Sequence, residues 1–158
     1  MEKFTAPNTL SFTFDASHKG APYTIDGGAH YMNGGDFAEV AFKHALGLPA
    51  VKDGNGDFRK VSDVPEFSMS VKSSRGTLTS VKLGNSFDEV VANFFPVCAS
   101  EKFAWVVLVD DMINAYIMDA DEFKAFIMEW GRYDVDRHVI RFKISSAKMI
   151  AWLESRCQ

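Results

Sequence analysis

Thiols are scarce in this chain: Cys98 and Cys157 are the two cysteines in 158 residues. There is no CxxC pair, and His18, His30, His44 and His138 have no zinc-like spacing, which excludes a disulfide framework and a thiolate or imidazole metal centre. Both cysteines read as free thiols in a reducing cytoplasm, Cys98 in the core and Cys157 exposed. Long apolar runs are also missing. The longest, 103–109, is far too short to span a bilayer, so no membrane contact and no targeting segment is expected. No GxSxG elbow, no GxxxxGK[ST] and no strand leading into GxGxxG is present, which removes the serine hydrolases and the phosphate-cradling loops. Positive charge is not in excess. Lys and Arg number 17 against 21 acids, a net −4, which argues against a general nucleic-acid coat protein. No repeat, low-complexity tract or linker divides the chain.

What is present suits one domain with a real core: 47% apolar residues, 13% aromatic, 14 of them Phe. The charge is unevenly placed. Residues 83–131 hold nine acids and two bases, while 52–82 hold six bases and four acids and 132–158 six bases and three acids. A local basic surface is sufficient for a nuclease.

The periodicity predicts an alternating strand over 9–14, paired with 22–25 as an N-terminal hairpin, and then a Gly-rich loop over 27–35. A helix follows from about Asp36 to Leu46, closed by Gly47. The turn Asp53–Asp57 faintly resembles a calcium loop but lacks its closing Glu, and reads as a hairpin turn. Three short strands are predicted near 58–62, 66–73 and 77–83. Ser86 caps a helix from about Phe87 to Phe95, with Glu89 at the capping-box spacing and Pro96 as the stop. Residues 103–109 read as a strand buried on both faces. A strand at 114–118, a helix at 121–130 stopped by Gly131, a strand at 139–144 and a helix from Ser145 or Ser146 to about Arg156 complete an α+β domain.

The second of the three short strands carries the most information. Alternation puts Phe67, Met69 and Val71 on one face, and Glu66, Ser68, Ser70 and Lys72 on the other. A carboxylate and an ammonium on one short strand call for either a water-facing edge or a task.

Helix, three-stranded meander, helix and long buried strand, in that order, resemble the core of the PD-(D/E)xK nuclease superfamily, which includes restriction endonucleases and Holliday-junction resolvases. The resemblance spans residues 35–110 or so. Gly35-Asp36-Phe37-Ala38-Glu39 is similar to the start of the first helix of resolvase-like members. Pro65-Glu66 resembles the Pro-acid start of the signature, and Ser70-Val71-Lys72-Ser73-Ser74 the acid-x-Lys strand with Ser in the acid's place.

The resemblance implies a restriction-endonuclease-like α-βββ-α-β core with a central mixed β-sheet flanked by helices, and a Mg²⁺-dependent (or Mn²⁺-dependent) DNA endonuclease of restriction or mobile-element type. Glu66, with Glu39 or Glu89, would supply hard oxygen ligands. Lys72 would position or help deprotonate the attacking water, and Ser70 would add a hydroxyl without a carboxylate's charge. Asp63 and Asp57 are alternatives for the first acid. Ser80-Val81-Lys82 repeats the tripeptide, so Lys82 competes with Lys72 for the register. Arg59, Lys60, Arg75 and Lys82 flank the site as DNA contacts, with Arg137, Arg141, Lys143 and Lys148 as further candidates. A cutter of both strands at this size implies a homodimer. The alternative reading is a nuclease-like fold that has lost catalysis and binds DNA or a protein partner, such as a nuclease that it inhibits.

Overall fold

The structure is a computed structural model that describes residues 1–9, 21–25, 28–32, 34–47, 57–58, 69–73, 76–79, 81–98 and 100–157. It is an α+β fold built on a mixed five-stranded sheet with helices on both faces. The sheet contains β1 (Glu2–Pro7), β4 (Asp57–Phe58), β5 (Met69–Ser73), β6 (Lys102–Val109) and β7 (Met112–Met118), in the spatial order β1-β7-β6-β5-β4. β5 and β6 run parallel, joined through α2 (Phe87–Val97), and the other neighbours are antiparallel. Two small ladders stand apart: β2 (Ala21–Ile25) with β3 (Gly28–Met32), and β8 (Arg132–Asp134) with β9 (Val139–Arg141). Among the described residues no helix is long and apolar enough to cross a membrane.

β6 is the axis of two cores, as its unbroken apolar run requires. Ala104 and Val106 face α1 (Gly34–Ala45), where Ala38, Ala41, Phe42, Met69, Val71, Ile113 and Ala115 are buried together. The small residues let that helix lie close to the sheet. Phe103, Trp105 and Val107 face the other way, toward α2, α3 (Ala120–Trp130) and α4 (Ala147–Glu154). That side is aromatic: Phe103 stacks on Phe123 with ring centroids 4.6 Å apart, and Trp105 packs on Phe126 and Phe142.

The helix boundaries follow local chemistry. The Asp119 carboxylate accepts from Glu122 N at 2.9 Å while the Glu122 carboxylate accepts from Asp119 N at 3.0 Å, a full capping box. Asp119→Ala is expected to lower stability by about 1 kcal/mol, seen as a lower urea midpoint at constant slope. Gly131 ends α3 where a Cβ would stand 2.6 Å from Ile127 O, so no larger residue fits. Ser86 caps α2, but the Glu89 carboxylate reaches Asn85 N (2.7 Å) rather than the cap's own N–H. Pro96 lies inside the last turn, and the helix runs on to Val97.

Several expectations change. The strand expected at 9–14 lies outside the described residues except for Thr9, and 22–25 pairs instead with Gly28–Met32, part of the stretch read as a loop. The connecting residues are Asp26-Gly27, a strong two-residue hairpin signal that the glycine count obscured. Among the described residues of 77–83 there is no sheet strand. Thr77 makes one isolated bridge to Arg141, Leu78 N donates to Ile140 O, and Leu78 enters the aromatic core, so this backbone bonds to β9 rather than to β5. Cys157 is half-buried rather than exposed, with its Sγ 3.3 Å from Leu153 O, and Cys98 is half-buried as well.

β1 was not expected at all. It adds to β7 and is tied to α4: Glu154 accepts from Lys3 Nζ at 2.6 Å and from the Tyr116 hydroxyl at 2.7 Å. Lys3 first, then Tyr116, holds the Glu154 carboxyl below its ordinary 4.5. A depressed folded value means stability that is present above pH 4.5 and lost as the pH falls through the folded value. Glu154→Gln is expected to flatten this acid limb of the stability–pH curve, measured by urea unfolding.

Candidate functional site

The strand β5 carries the central candidates, and its alternation sorts them. Met69 and Val71 pack under α1, so Ser70 and Lys72 face the opposite, aromatic side. Parallel pairing sets Ser70 beside Phe103 and Lys72 beside Trp105, two residues of that aromatic core. On the outer flank, antiparallel pairing sets Asp57 directly across from Ser70. Directly opposed positions share a sheet face, so Asp57, Ser70 and Lys72 occupy one corner of it.

Ser70 is fully buried and its hydroxyl has no hydrogen-bond partner among the described residues; the same holds for Ser73, 8% exposed, on the α1 side. A buried hydroxyl left unpaired costs about 1–3 kcal/mol, which is a reason to look for what it serves. Lys72 is half-buried, so its stem is covered while its ammonium can reach solvent or a ligand.

Glu39 is placed differently from the expectation. It lies on α1, across the sheet from Lys72, and its Oε1 is 2.7 Å from Lys43 Nζ one helical turn on. Both side chains are buried, at 4% and 8%. Glu39 therefore sits in an ion pair of its own helix rather than beside Lys72. The i,i+4 spacing of Glu39 and Lys43 was visible in the sequence; their burial was not. Glu89 does lie on α2, on the Lys72 side of the sheet, but it is exposed and its carboxylate caps Asn85 N. Lys82 is exposed on an irregular segment, not on a strand of the sheet, so the Ser80-x-Lys82 register loses its structural setting. Asp63, Glu66, Arg59, Lys60 and Arg75 lie outside the described residues, and among the described residues no three His, Cys, Asp or Glu side chains gather as a metal site.

No protein family, curated protein or solved structure matches the chain. Function must therefore be argued from the corner itself. An acid position, a buried hydroxyl and an ammonium on one strand pair can bind a hard cation and a phosphate together. Asp57 and Ser70 lie toward the amino end of the parallel pair, where Ser70 is set beside Phe103 near the start of β6, and Lys72 lies two positions further along. A separate crevice of about 270 Å³ opens at the carboxyl end of that pair, between Ala38, Ser73, Val106–Val109, Ile144 and Ser145.

Proposed function

We propose that the chain is a Mg²⁺-dependent DNA endonuclease built on a restriction-endonuclease-like core, with α1, β4, β5, α2 and β6 as its members, the described residues holding two of the three expected meander strands. The observation that carries this reading is the register of Asp57 across from Ser70, with Lys72 two positions further along the same face. The donors suit the metal. A carboxylate position and an orphaned, fully buried hydroxyl are hard oxygen groups, and Asp63 and Glu66 are further acids close by in the sequence. Mg²⁺ would offset charge on the scissile phosphate and help make water a nucleophile. Asp57, with Asp63 or Glu66, would hold the ion, and Ser70 Oγ would orient a ligand beside it. Lys72 Nζ would hold the attacking water in line and balance the negative charge that grows as phosphorus gains its fifth oxygen. The aromatic floor from Phe103 and Trp105 keeps bulk water from the inner side of Lys72. Cleaving both strands would take two copies of the chain, since one such corner serves one strand.

One observation favours the other reading, a fold that binds without hydrolysis: Glu39 is joined to Lys43 and so does not complete the acidic set. Plasmid nicking in Mg²⁺, Mn²⁺ or EDTA decides between them, with Lys72→Ala and Asp57→Asn alongside, and Asp63→Asn and Glu66→Gln to identify the first acid. Metal-dependent nicking lost in Lys72→Ala is the expected result. Nicking that survives in both Lys72→Ala and Asp57→Asn overturns the assignment, and no nicking with either metal leaves the binding reading.

A further inference from the structure

The hairpin β8–β9 holds a charge arrangement that stability alone does not explain. Its register places Arg132 directly across from Arg141. Like charges directly opposed on a ladder are destabilising. The relief is partial. Asp134 Oδ2 accepts from Arg141 Nη1 at 3.1 Å, while Arg132 Nη1 is held by the carbonyls of Glu129 (3.1 Å) and Gly131 (2.7 Å) at the end of α3. Both cations are thus fixed in place with charge left over.

They border a cleft of about 500 Å³, lined by Arg132, Tyr133, Asp134, Arg141, Phe142 and Lys143. Lys143 and, at the hairpin tip, Arg137 are exposed, and among the described residues neither side chain has a partner. The tip itself is braced. Asp134 Oδ1 accepts from Asp136 N and Arg137 N, and the Tyr133 hydroxyl lies 2.9 Å from His138 Nδ1, with His138 at a left-handed φ of 54°. A braced tip presents its cation with little ordering cost on binding. Residues 132–143 hold four bases against Asp134 and Asp136, a local excess of positive charge on a chain of net −4.

We infer that this face, with Arg132, Arg137, Arg141 and Lys143, docks the phosphate backbone of a DNA duplex. The choice of DNA as partner rests on the hydrolysis reading above. The contact is to phosphate rather than to base edges, because Arg132 and Arg141 are held by the protein's own oxygens and Arg137 and Lys143 are exposed charges that any backbone phosphate satisfies.

The test is fluorescence anisotropy with a labelled 20-bp duplex in EDTA, across a series of NaCl concentrations, so that no cleavage is needed. Arg137→Gln/Lys143→Gln, which removes two exposed cations, is expected to reduce the slope of log K against log[NaCl] by about 2. The loss should be equal on duplexes of unrelated sequence. Lys124→Gln, an exposed cation on α3, should bind as the unaltered chain does. An unchanged slope in the double variant, or no salt-dependent binding by the unaltered chain, overturns the inference. Binding without metal-dependent cleavage leaves the inference standing and removes the hydrolysis reading. Cleavage with an unchanged slope does the reverse.

Discussion

Lys72→Ala is expected to slow Mg²⁺-dependent plasmid nicking by ~10²–10⁴-fold, the range of a positioned proton-handling group. The fold should survive. Lys72 is half-buried, and truncation removes methylene contacts beside Trp105 worth roughly 1 kcal/mol, or about 2–4 °C in Tm for a chain of this size. Lys72→Arg sharpens the experiment. A guanidinium keeps the charge but not the compact, rotatable ammonium, so an in-line water would be misplaced and the rate should stay low. Recovery of the rate in Lys72→Arg would mean that Lys72 contributes charge alone. A wild-type rate in Lys72→Ala would remove this residue from the chemistry.

Glu39→Ala should be strongly destabilising on the other side of the sheet, at about 3–5 kcal/mol, because it removes one partner of a buried ion pair. Replacing both, as Glu39→Leu/Lys43→Met, should cost less, since it removes the two buried charges together and puts apolar groups of similar size in their place. Chemical denaturation of the two single variants and the double one gives the coupling directly. A loss below about 1 kcal/mol in Glu39→Ala would place the pair with ordinary surface ion pairs. The same variants separate two roles for Glu39. A metal ligand would lose cleavage in Glu39→Gln at nearly constant stability, whereas a structural pair loses stability first.

The parts of this fold that could be read in the sequence are those with local causes. Ser86, Asp119 and Ser146 announce their helices within one turn, and the apolar run 103–109 announces β6, so these elements appear where expected. The segments that were misjudged depend on distant partners. β1 has charges at Glu2 and Lys3 and a proline at its end, and becomes a strand because β7 offers it an edge. Residues 77–78 turn away from β5 because β9 accepts their bonds. The site divides in the same way. Period-two alternation shows that Ser70 and Lys72 share a face, but not which neighbour covers it. The family resemblance sets Glu39 beside Lys72, while the packing of Ala38, Ala41 and Phe42 on the sheet puts that helix on the reverse side. The opposition of Arg132 and Arg141 depends on a cross-strand register that composition does not reveal.

The position of β1 has a consequence for how the sheet closes. β6 and β7 are joined through Asp110 and Asp111 alone, so their ladder forms at small entropic cost. The β1–β7 ladder pairs Glu2 with Ile117, across most of the chain, so its closure carries a far larger loop than β6–β7 does. By loop length alone this ladder is expected to form after β6–β7, and its lasting hold comes from the Lys3–Glu154 pair as well as from the strand register. Each opening leaves the outer edge of β7 bare, and a bare strand edge is where one chain can recruit another.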